Sequence, residues 1–208
     1  HPHRRSRNAP WHDPLGIPAR GPSARFRPPP GFGDAADNDV AGIFYTGGTT
    51  GRSKGVMLTH RNLVANAAMV IPAWGYRHDT VYIHSGPMFH LADAASTFAI
   101  TIVAGTHVFI PRFDPTELLT EIQRHRVTNC LLVPTMATAT ANHPDIAKYD
   151  ISSLRLIPYG ASPMPDAVLQ KAKQTMPGVR LLHVYGMTEA SPIVTSMDRH
   201  QPEPTGRR

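Results

Sequence analysis

A short segment near residue 50 combines glycines, hydroxyl side chains and one lysine between two apolar stretches. It reads TGGTTGRSK and ends at Lys54. Glycines let backbone N–H groups turn toward an anion, threonine hydroxyls add donors, and the lysine supplies a positive charge. A Walker-type loop needs G-x-x-x-x-G-K-[ST] leading into a helix, whereas here Gly51 is followed by Arg-Ser-Lys-Gly and a predicted strand. We therefore predict a phosphate-binding loop of another kind, with an unliganded hairpin tip as the alternative.

Two other segments combine residue types that bind ligands or react. YGMTEAS begins at Tyr185, whose ring could stack on a base, and adds a hydroxyl and a carboxylate at Thr188 and Glu189. The same letters also fit a capped helix start with both polar side chains in solvent. PMFHLAD follows a predicted strand and carries His90, and a lone histidine in such a place is more often packed or exposed than functional. The twelve histidines and the single cysteine show no zinc-ligand spacing.

The composition is that of a globular body with basic ends. Of the 208 residues, 41% are hydrophobic, and the formal net charge is +6. Six arginines lie in residues 1–30 and two at the C-terminus, which leaves 13 basic and 14 acidic residues between them. Because the body is close to neutral and no aromatic residues are interleaved with the arginines in a stacking pattern, we do not expect a nucleic-acid partner.

The cysteine and one long uncharged segment bear on location. Cys130 has no partner for an internal disulfide, and no apolar signal segment follows the N-terminal arginines, which favours a reducing, cytoplasmic setting. Residues 94–111 carry no charge, but the letters AGTH interrupt them. We therefore predict a helix, a turn and a strand there rather than a membrane span.

The elements that must position these segments follow from the spacing of apolar residues. Strands are predicted at VAGIFYT, KGVMLT, TVYIHS, HVFI, NCLLVP, SLRLIPY and, as the last strong one, VRLLHVY. Thr59 is predicted to cap a helix that ends before Pro72, and Asp114 to cap another that has Pro115 at its first position. The buried faces of these two helices are predicted to be Leu63, Val64, Ala67, Ala68 and Ile71 in the first, and Leu118, Leu119 and Ile122 in the second.

The order of these elements predicts an α/β fold with a mainly parallel β-sheet flanked by helices, because strands and helices alternate from residue 107 onward. Residues 1–36 are predicted to form a disordered Pro/Arg-rich leader, residues 37–200 the ordered domain and residues 201–208 a disordered tail. GASP and GMTEAS follow the strands that end at Tyr159 and Tyr185. Since ligands bind beyond the carboxyl ends of parallel strands, we expect these two loops to lie together.

Four segments, YTGGTTGRSKGV, PMFH, YGAS and YGMTE, occur in this order along the chain. Together they resemble the successive motifs of the adenylate-forming superfamily, which includes acyl-CoA synthetases, firefly-type luciferases and peptide-synthetase adenylation domains. The resemblance covers roughly residues 39–195. It implies part of the large AMP-binding domain of an acyl-adenylate synthetase, with ATP, Mg²⁺ and coenzyme A as cofactor, metal and co-substrate.

The resemblance also implies a role for individual residues. The residues that would wrap the β- and γ-phosphates of ATP are Thr46, Gly47, Gly48, Thr49, Thr50, Gly51 and Lys54. Those that would contact the adenine and the α-phosphate are Gly160, Ala161, Ser162, Tyr185, Gly186 and Thr188, with Tyr185 stacked on the ring and Thr188 on the phosphate. Glu189 would hold Mg²⁺, and His90 would lie beside the acyl carboxylate. Lys54, Thr188 and Glu189 form the implied catalytic set. Gly47 departs from the usual serine, and Ser53 from the usual proline.

The implied reaction activates a carboxylic acid, and the sequence around PMFH is most similar to the fatty-acid branch. The carboxylate attacks the α-phosphorus of ATP and releases pyrophosphate, after which the thiol of coenzyme A takes the acyl group. The chain ends at Arg208, before the family's ribose-binding aspartate and C-terminal lysine, so we expect a fragment that is inactive alone. The alternatives are an adenylation domain for an amino or aryl acid, for which Asp93 is the nearest acidic residue, and a non-catalytic nucleotide-binding remnant.

Overall fold

The computed structural model describes residues 35–47 and 51–198. The strands are β1 (Val40–Thr46), β2 (Lys54–Thr59), β3 (Val81–His84), β4 (Thr106–Phe109), β5 (Leu156–Gly160), β6 (Arg180–Gly186) and β7 (Ile193–Asp198). The helices are α1 (His60–Trp74), α2 (Leu91–Ile102), α3 (Pro115–His125), α4 (Pro134–Ala141) and α5 (Asp166–Thr175), with short 3-10 turns at Ile146–Lys148 and Thr188–Ala190. Most of the predicted leader and all of the predicted tail lie outside the described residues.

The central sheet is mainly parallel, as the alternation of elements predicts. β3 pairs with β4 and β5 pairs with β6, both in parallel, whereas β7 runs antiparallel along the outer side of β6. Asn129 lies between the two pairs and forms parallel bridges to Tyr82 on β3 and to Leu156 on β5. β1 and β2 form a separate antiparallel hairpin. The α/β prediction is confirmed.

The segment NCLLVP is extended and buried, but it is not the regular strand that its apolar run predicts. Cys130 and Leu132 donate their amides to β5, at 3.4 Å and 3.0 Å from the carbonyl oxygens of Leu156 and Pro158. Pro158 has no N–H with which to return a bond. The amide of Leu131 donates instead to a side chain, the hydroxyl of Tyr82. The ladder is therefore interrupted on both sides of the segment.

Helix α1 begins as predicted but ends later. Thr59 accepts a hydrogen bond from the amide of Asn62, and the side-chain oxygen of Asn62 accepts one from the amide of Thr59. The prediction that the helix ends before Pro72 is wrong, because the helix continues to Trp74. The extra turn buries the indole of Trp74 and lets it donate to Ser196 on β7 at 2.9 Å. These tertiary contacts offset the backbone hydrogen bond that proline cannot make.

The buried face of α1 is partly different from the predicted one. Leu63 and Ala67 are buried, whereas Val64 and Ala68 face solvent. Asn66 is buried in their place, because its side chain bonds the backbone of the first residue of β7. The buried face of α1 is therefore directed toward β7, an edge strand that the apolar pattern did not predict.

Two layers of helices enclose the sheet. On one side, α3, α4 and α5 cover a core that includes Leu118, Leu119 and Ile122, all three buried as predicted. Asp114 caps α3 by accepting hydrogen bonds from the amides of Thr116 and Glu117, which confirms its predicted role. On the other side, α1 and α2 cover a core around Trp74, Tyr82 and Ile100. No helix within the described residues is both long and apolar enough to cross a membrane.

Candidate functional site

A cleft of about 420 Å³ lies at the carboxyl ends of β5 and β6 and at the start of α2. Residues from four distant segments line it: Thr46 and Gly47; His90, Leu91 and Ala92; Gly160 and Ala161; and Gly186, Met187, Thr188 and Glu189. Leu131, Val184, Pro192 and Ile193 complete its walls. Each of the four segments contains one of the motifs singled out in the sequence.

The hairpin reaches this cleft because its inner face is apolar. Phe44, Val56 and Leu58 pack against a small core that includes Leu63 of α1 and Leu91 of α2. This packing brings the end of β1 to the cleft. The hairpin is thereby held against the same helix whose first residues form the neighbouring wall.

Lys54 lies beside the cleft rather than in its lining. It pairs with Thr46, which does line the cleft, in the antiparallel register of the hairpin. β2, which begins at Lys54, also contacts the 3-10 turn that carries Thr188 and Glu189. Lys54 and Glu189 therefore approach the same cleft. Gly48, Thr49 and Thr50, which the resemblance also assigns to the phosphates, lie outside the described residues.

The loop after β5 depends on a residue without a side chain. A Cβ atom on Gly160 would collide with the carbonyl oxygen of Val184 on the neighbouring strand. The next residue, Ala161, has a φ of 68°, a left-handed conformation that turns the chain sharply at the end of the strand. The close approach of the two strands and this turn together place Gly160 and Ala161 on the wall of the cleft.

The loop after β6 is closed on itself. The amide of Met187 donates to the carbonyl of Pro192 at 2.9 Å, and the amide of Ser191 donates to that of Thr188 at 3.1 Å. These bonds form a tight loop that presents Thr188 and Glu189 to the cleft. Adjacent parallel strands carry this loop and the one after β5, so the prediction that the two loops lie together is confirmed.

A second cavity of about 410 Å³ continues from the first along the same two loops. Ser162 and Tyr185 line this cavity, whereas Ala161 and Gly186 line both. Tyr185 is 57% exposed, so a flat ligand can reach its side chain. Of the residues that the resemblance assigns to the adenine, Ala161, Ser162 and Tyr185 thus line the second cavity, whereas Gly160 lines the first. The first cavity is also lined by Thr188, Glu189 and His90, which the resemblance assigns to phosphate, metal and acid.

His90 caps the helix that borders the cleft. Its Nδ1 atom accepts a hydrogen bond from the amide of Ala92 at 3.2 Å. Within the described residues, no hydrogen bond engages its other ring nitrogen, Nε2, so that atom remains available to a ligand. The N-terminus of α2 adds the positive end of a helix dipole, which favours a negative group at this place.

Asp93, three residues farther along, is not available to a ligand. Its side chain is 2% exposed, and both carboxylate oxygens accept hydrogen bonds, one from Tyr82 and one from His84. Asp93 therefore offers no free carboxylate beside His90 for the ammonium group of an amino acid. The sequence did not predict that Asp93 is buried, because it shows only that Asp93 lies three residues after His90 and not which side chains surround it.

The residues around Glu189 fit a magnesium ion bound together with phosphate groups. No cluster of three or more His, Cys, Asp or Glu side chains within residues 35–47 and 51–198 forms a metal cage. Glu189 is exposed, lines the cleft and makes no ion pair with another described residue. Because Mg²⁺ is commonly held by one or two carboxylates plus substrate phosphates, one free carboxylate at this position suits it.

Sequence reasoning missed the apolar part of the lining. Leu91 follows the motif PMFH and Met187 lies inside YGMTE, so their position in or beside the motifs could have indicated a role. Leu131 belongs to the run NCLLV, and no motif pointed to it. Ile193 begins the return strand β7, which was not predicted, and Pro192 directly precedes it.

Comparison with known proteins agrees with these features. Residues 7–208 match the family model described as AMP-binding enzyme. The chain is similar to a feruloyl-CoA synthase from Amycolatopsis sp, with 36% identity over 185 residues that cover 84% of this chain and 37% of that protein. It is also similar to the crystal structure of a long-chain-fatty-acid-CoA ligase from Archaeoglobus fulgidus, with a TM-score of 0.72, 34% identity and coverage of 79% and 34%. ATP-bound MatB from Rhodopseudomonas palustris gives a TM-score of 0.71, 33% identity and coverage of 81% and 33%. The chain thus spans about a third of the length of each.

Proposed function

Because the chain belongs to the AMP-binding enzyme family, we propose that it binds ATP in this cleft for the activation of a carboxylic acid to an acyl-adenylate and then to a coenzyme A thioester. One observation carries the proposal: motif residues from four separate segments, Thr46, His90, Gly160 and Glu189, line a single cleft. A structural role for each motif would not require them to meet.

The nucleotide would lie along both cavities. Tyr185 and Ser162 border the cavity that suits an adenine ring, and Thr188 lines the adjoining cleft together with Thr46 of the hairpin. Lys54 and the end of β1 would then receive the outer phosphates, where positive charge and backbone amides stabilise the departing pyrophosphate. Mg²⁺, held at Glu189, would neutralise phosphate charge when bound.

The acid would occupy the end of the cleft near His90. Leu91, Leu131 and Ile193 line the cleft, so it suits an acid with an apolar body. We propose a fatty acid as the substrate class, because the similar protein from Archaeoglobus fulgidus is named as a long-chain-fatty-acid-CoA ligase. The alternative is an aryl acid, since the similar protein from Amycolatopsis sp is named as a feruloyl-CoA synthase. The burial of Asp93 supports either acid over an amino acid, whose ammonium group would need a free carboxylate.

The chain spans only 37% of the length of the feruloyl-CoA synthase. We therefore propose that these 208 residues bind nucleotide and acid but do not complete thioester formation alone. The protein's groups would act mainly by alignment and charge neutralisation, since a carboxylate and a triphosphate repel each other until they are held and neutralised.

The test is nucleotide binding measured by isothermal titration calorimetry. We expect Lys54→Ala to weaken ATP binding by about ten-fold, the size of one lost charge-assisted hydrogen bond, and to affect AMP much less. Glu189→Gln should remove the part of the ATP affinity that depends on Mg²⁺. Lys171→Ala, an exposed lysine on α5 away from the cleft, serves as the matched control.

Two outcomes would contradict the proposal. The first is an unaltered chain that does not bind ATP, and the second is equal ATP affinity in Lys54→Ala and Lys171→Ala. The substrate class is tested separately, by competition of a panel of fatty, aromatic and amino acids for the ATP-loaded chain. Preference for an aromatic or an amino acid would exclude the fatty-acid assignment while leaving the nucleotide site intact.

A further inference from the structure

A network of buried polar side chains lies directly beneath the acid end of the cleft. The carboxylate of Asp93 accepts hydrogen bonds from the hydroxyl of Tyr82 at 3.0 Å and from Nδ1 of His84 at 2.7 Å. The side chains of Asp93 and His84 are 2% and 1% exposed, and Tyr82 is fully buried. Polar groups at this depth are costly unless their hydrogen bonds are satisfied, so the geometry of the network is tightly held.

The network continues from His84 toward the sheet edge. Nε2 of His84 lies 2.9 Å from Nδ1 of His107 on β4, and Nε2 of His107 lies 3.2 Å from the hydroxyl of Thr101 at the end of α2. The ring of His84 also stacks on Phe109, with 4.9 Å between centroids. His84 therefore cannot turn away from Asp93 without breaking contacts on its far side.

The other end of the network reaches two walls of the cleft. Asp93 lies in the first turn of α2, directly after Leu91 and Ala92, and that helix begins after its cap, His90. The hydroxyl of Tyr82, while donating to Asp93, accepts a hydrogen bond from the amide of Leu131 at 3.3 Å. One hydroxyl thus joins the start of α2 to the extended segment that carries Leu131.

We propose that Asp93 is a positioning residue for the acid end of the cleft: through Tyr82, it holds the start of α2, with His90, at a fixed place relative to Leu131. The inference rests on the proposed function, because it assigns the carboxylic acid to the space between these two walls. Burial raises the pKa of Tyr82 well above its ordinary value, with a further contribution from the charge of Asp93. Tyr82 therefore stays neutral and keeps its proton for Asp93.

Tyr82→Phe is the sharpest perturbation, since it removes the hydroxyl that both walls share and keeps the packed ring. Asp93→Asn keeps an oxygen that can accept from Tyr82, whereas Asp93→Ala keeps none. Tyr76→Phe is the matched control, because Tyr76 is also buried and its hydroxyl bonds Ser96 farther along α2, whereas the bond from the amide of Leu131 goes to Tyr82.

The readout is the ratio of two affinities. AMP contacts the nucleotide part of the site, whereas an acyl-sulfamoyl adenosine, a stable analogue of the acyl-adenylate, also fills the acid end. We expect Tyr82→Phe and Asp93→Ala to weaken the analogue by about ten-fold while AMP binding stays unchanged. Asp93→Asn should lose less affinity for the analogue than Asp93→Ala does, and Tyr76→Phe should keep the ratio of the two affinities unchanged. A loss shared equally by both ligands, or an equal change in Tyr76→Phe, would overturn the inference.

A second measurement needs no ligand and separates this inference from the proposed function. In the unliganded chain, Tyr82→Phe should speed amide hydrogen exchange at Leu131, which loses its acceptor, and at Ala92 on the opposite wall, and Tyr76→Phe should leave both unchanged. Unchanged exchange at both positions in Tyr82→Phe would refute the positioning role. Absence of AMP binding by the unaltered chain would refute the proposed function instead, and the exchange data would still decide whether the two walls are joined.

Discussion

Gly160 lies where β5 and β6 approach most closely, and replacing it with alanine should force the two strands apart. Gly160 pairs with Val184 in the parallel register. An added Cβ atom would collide with the carbonyl oxygen of Val184 and lie 2.9 Å from its Cγ2 atom. β6 is also paired on its other side, where Val184 lies opposite Ser196 of β7, so the carbonyl cannot simply turn away.

The size of the effect follows from two opposing contributions. Overpacking in a close-packed interior costs about 1–3 kcal/mol. Alanine recovers roughly 0.5–1 kcal/mol, because glycine loses more conformational freedom when it enters a strand. We therefore expect Gly160→Ala to lower the free energy of unfolding by about 1–2 kcal/mol and the Tm by roughly 2–8 °C. Since Gly160 also lines the cleft, Gly160→Ala should lower the affinity for AMP as well as the stability.

Urea unfolding followed by far-ultraviolet circular dichroism measures this change as a lower midpoint with an unchanged slope. Gly47→Ala is the matched control: Gly47 also lines the cleft, but no atom of the described residues lies within 4 Å of the Cβ that alanine would add. Equal stability of the two variants would refute the reasoning, because it would mean that the strands tolerate a methyl group at their contact.

Three further predictions concern other parts of the fold. Burial raises the pKa of the Cys130 thiol to about 12, with a smaller contribution from Asp93. A thiol reagent should therefore label Cys130 in the native chain only as fast as the fold opens around it, and rapid labelling without urea would contradict this. Burial, and then the nearby charge of His84, lowers the pKa of His107 below its ordinary 6.5, so the unfolded chain takes up the proton first and stability should be lost as the pH falls below that value. Unfolding at about pH 7.5 and about pH 5.5 should show a larger loss for the unaltered chain than for His107→Gln, and equal losses would exclude this contribution. Asp114→Ala should cost about 1 kcal/mol of unfolding free energy, because α3 loses the acceptor for two amides, and Thr120→Ala on the exposed face of the same helix is the comparison.

The sequence alone determined those features that depend on neighbouring residues or on a repeating pattern. Asp114 with Pro115 specifies the start of α3, because a cap and its amides lie within one turn. The alternation of apolar strands and amphipathic helices specifies a parallel sheet, and a parallel sheet places successive loops at one edge. The expectation that the loops after Tyr159 and Tyr185 lie together needed no more than this.

Only the tertiary structure decided features that depend on contacts between distant residues. Asn66 is buried because it bonds Ile193, and α1 passes through Pro72 because Trp74 reaches Ser196; each of these contacts spans more than a hundred residues. The carboxylate of Asp93 is likewise withdrawn from the cleft by a strand that precedes it in the chain. Apolar periodicity indicates which side of a helix or strand is buried, but it does not identify the element that packs against that side. The identity of that partner comes only from the packed fold, where burial makes a single hydrogen bond outweigh the local preference of the chain.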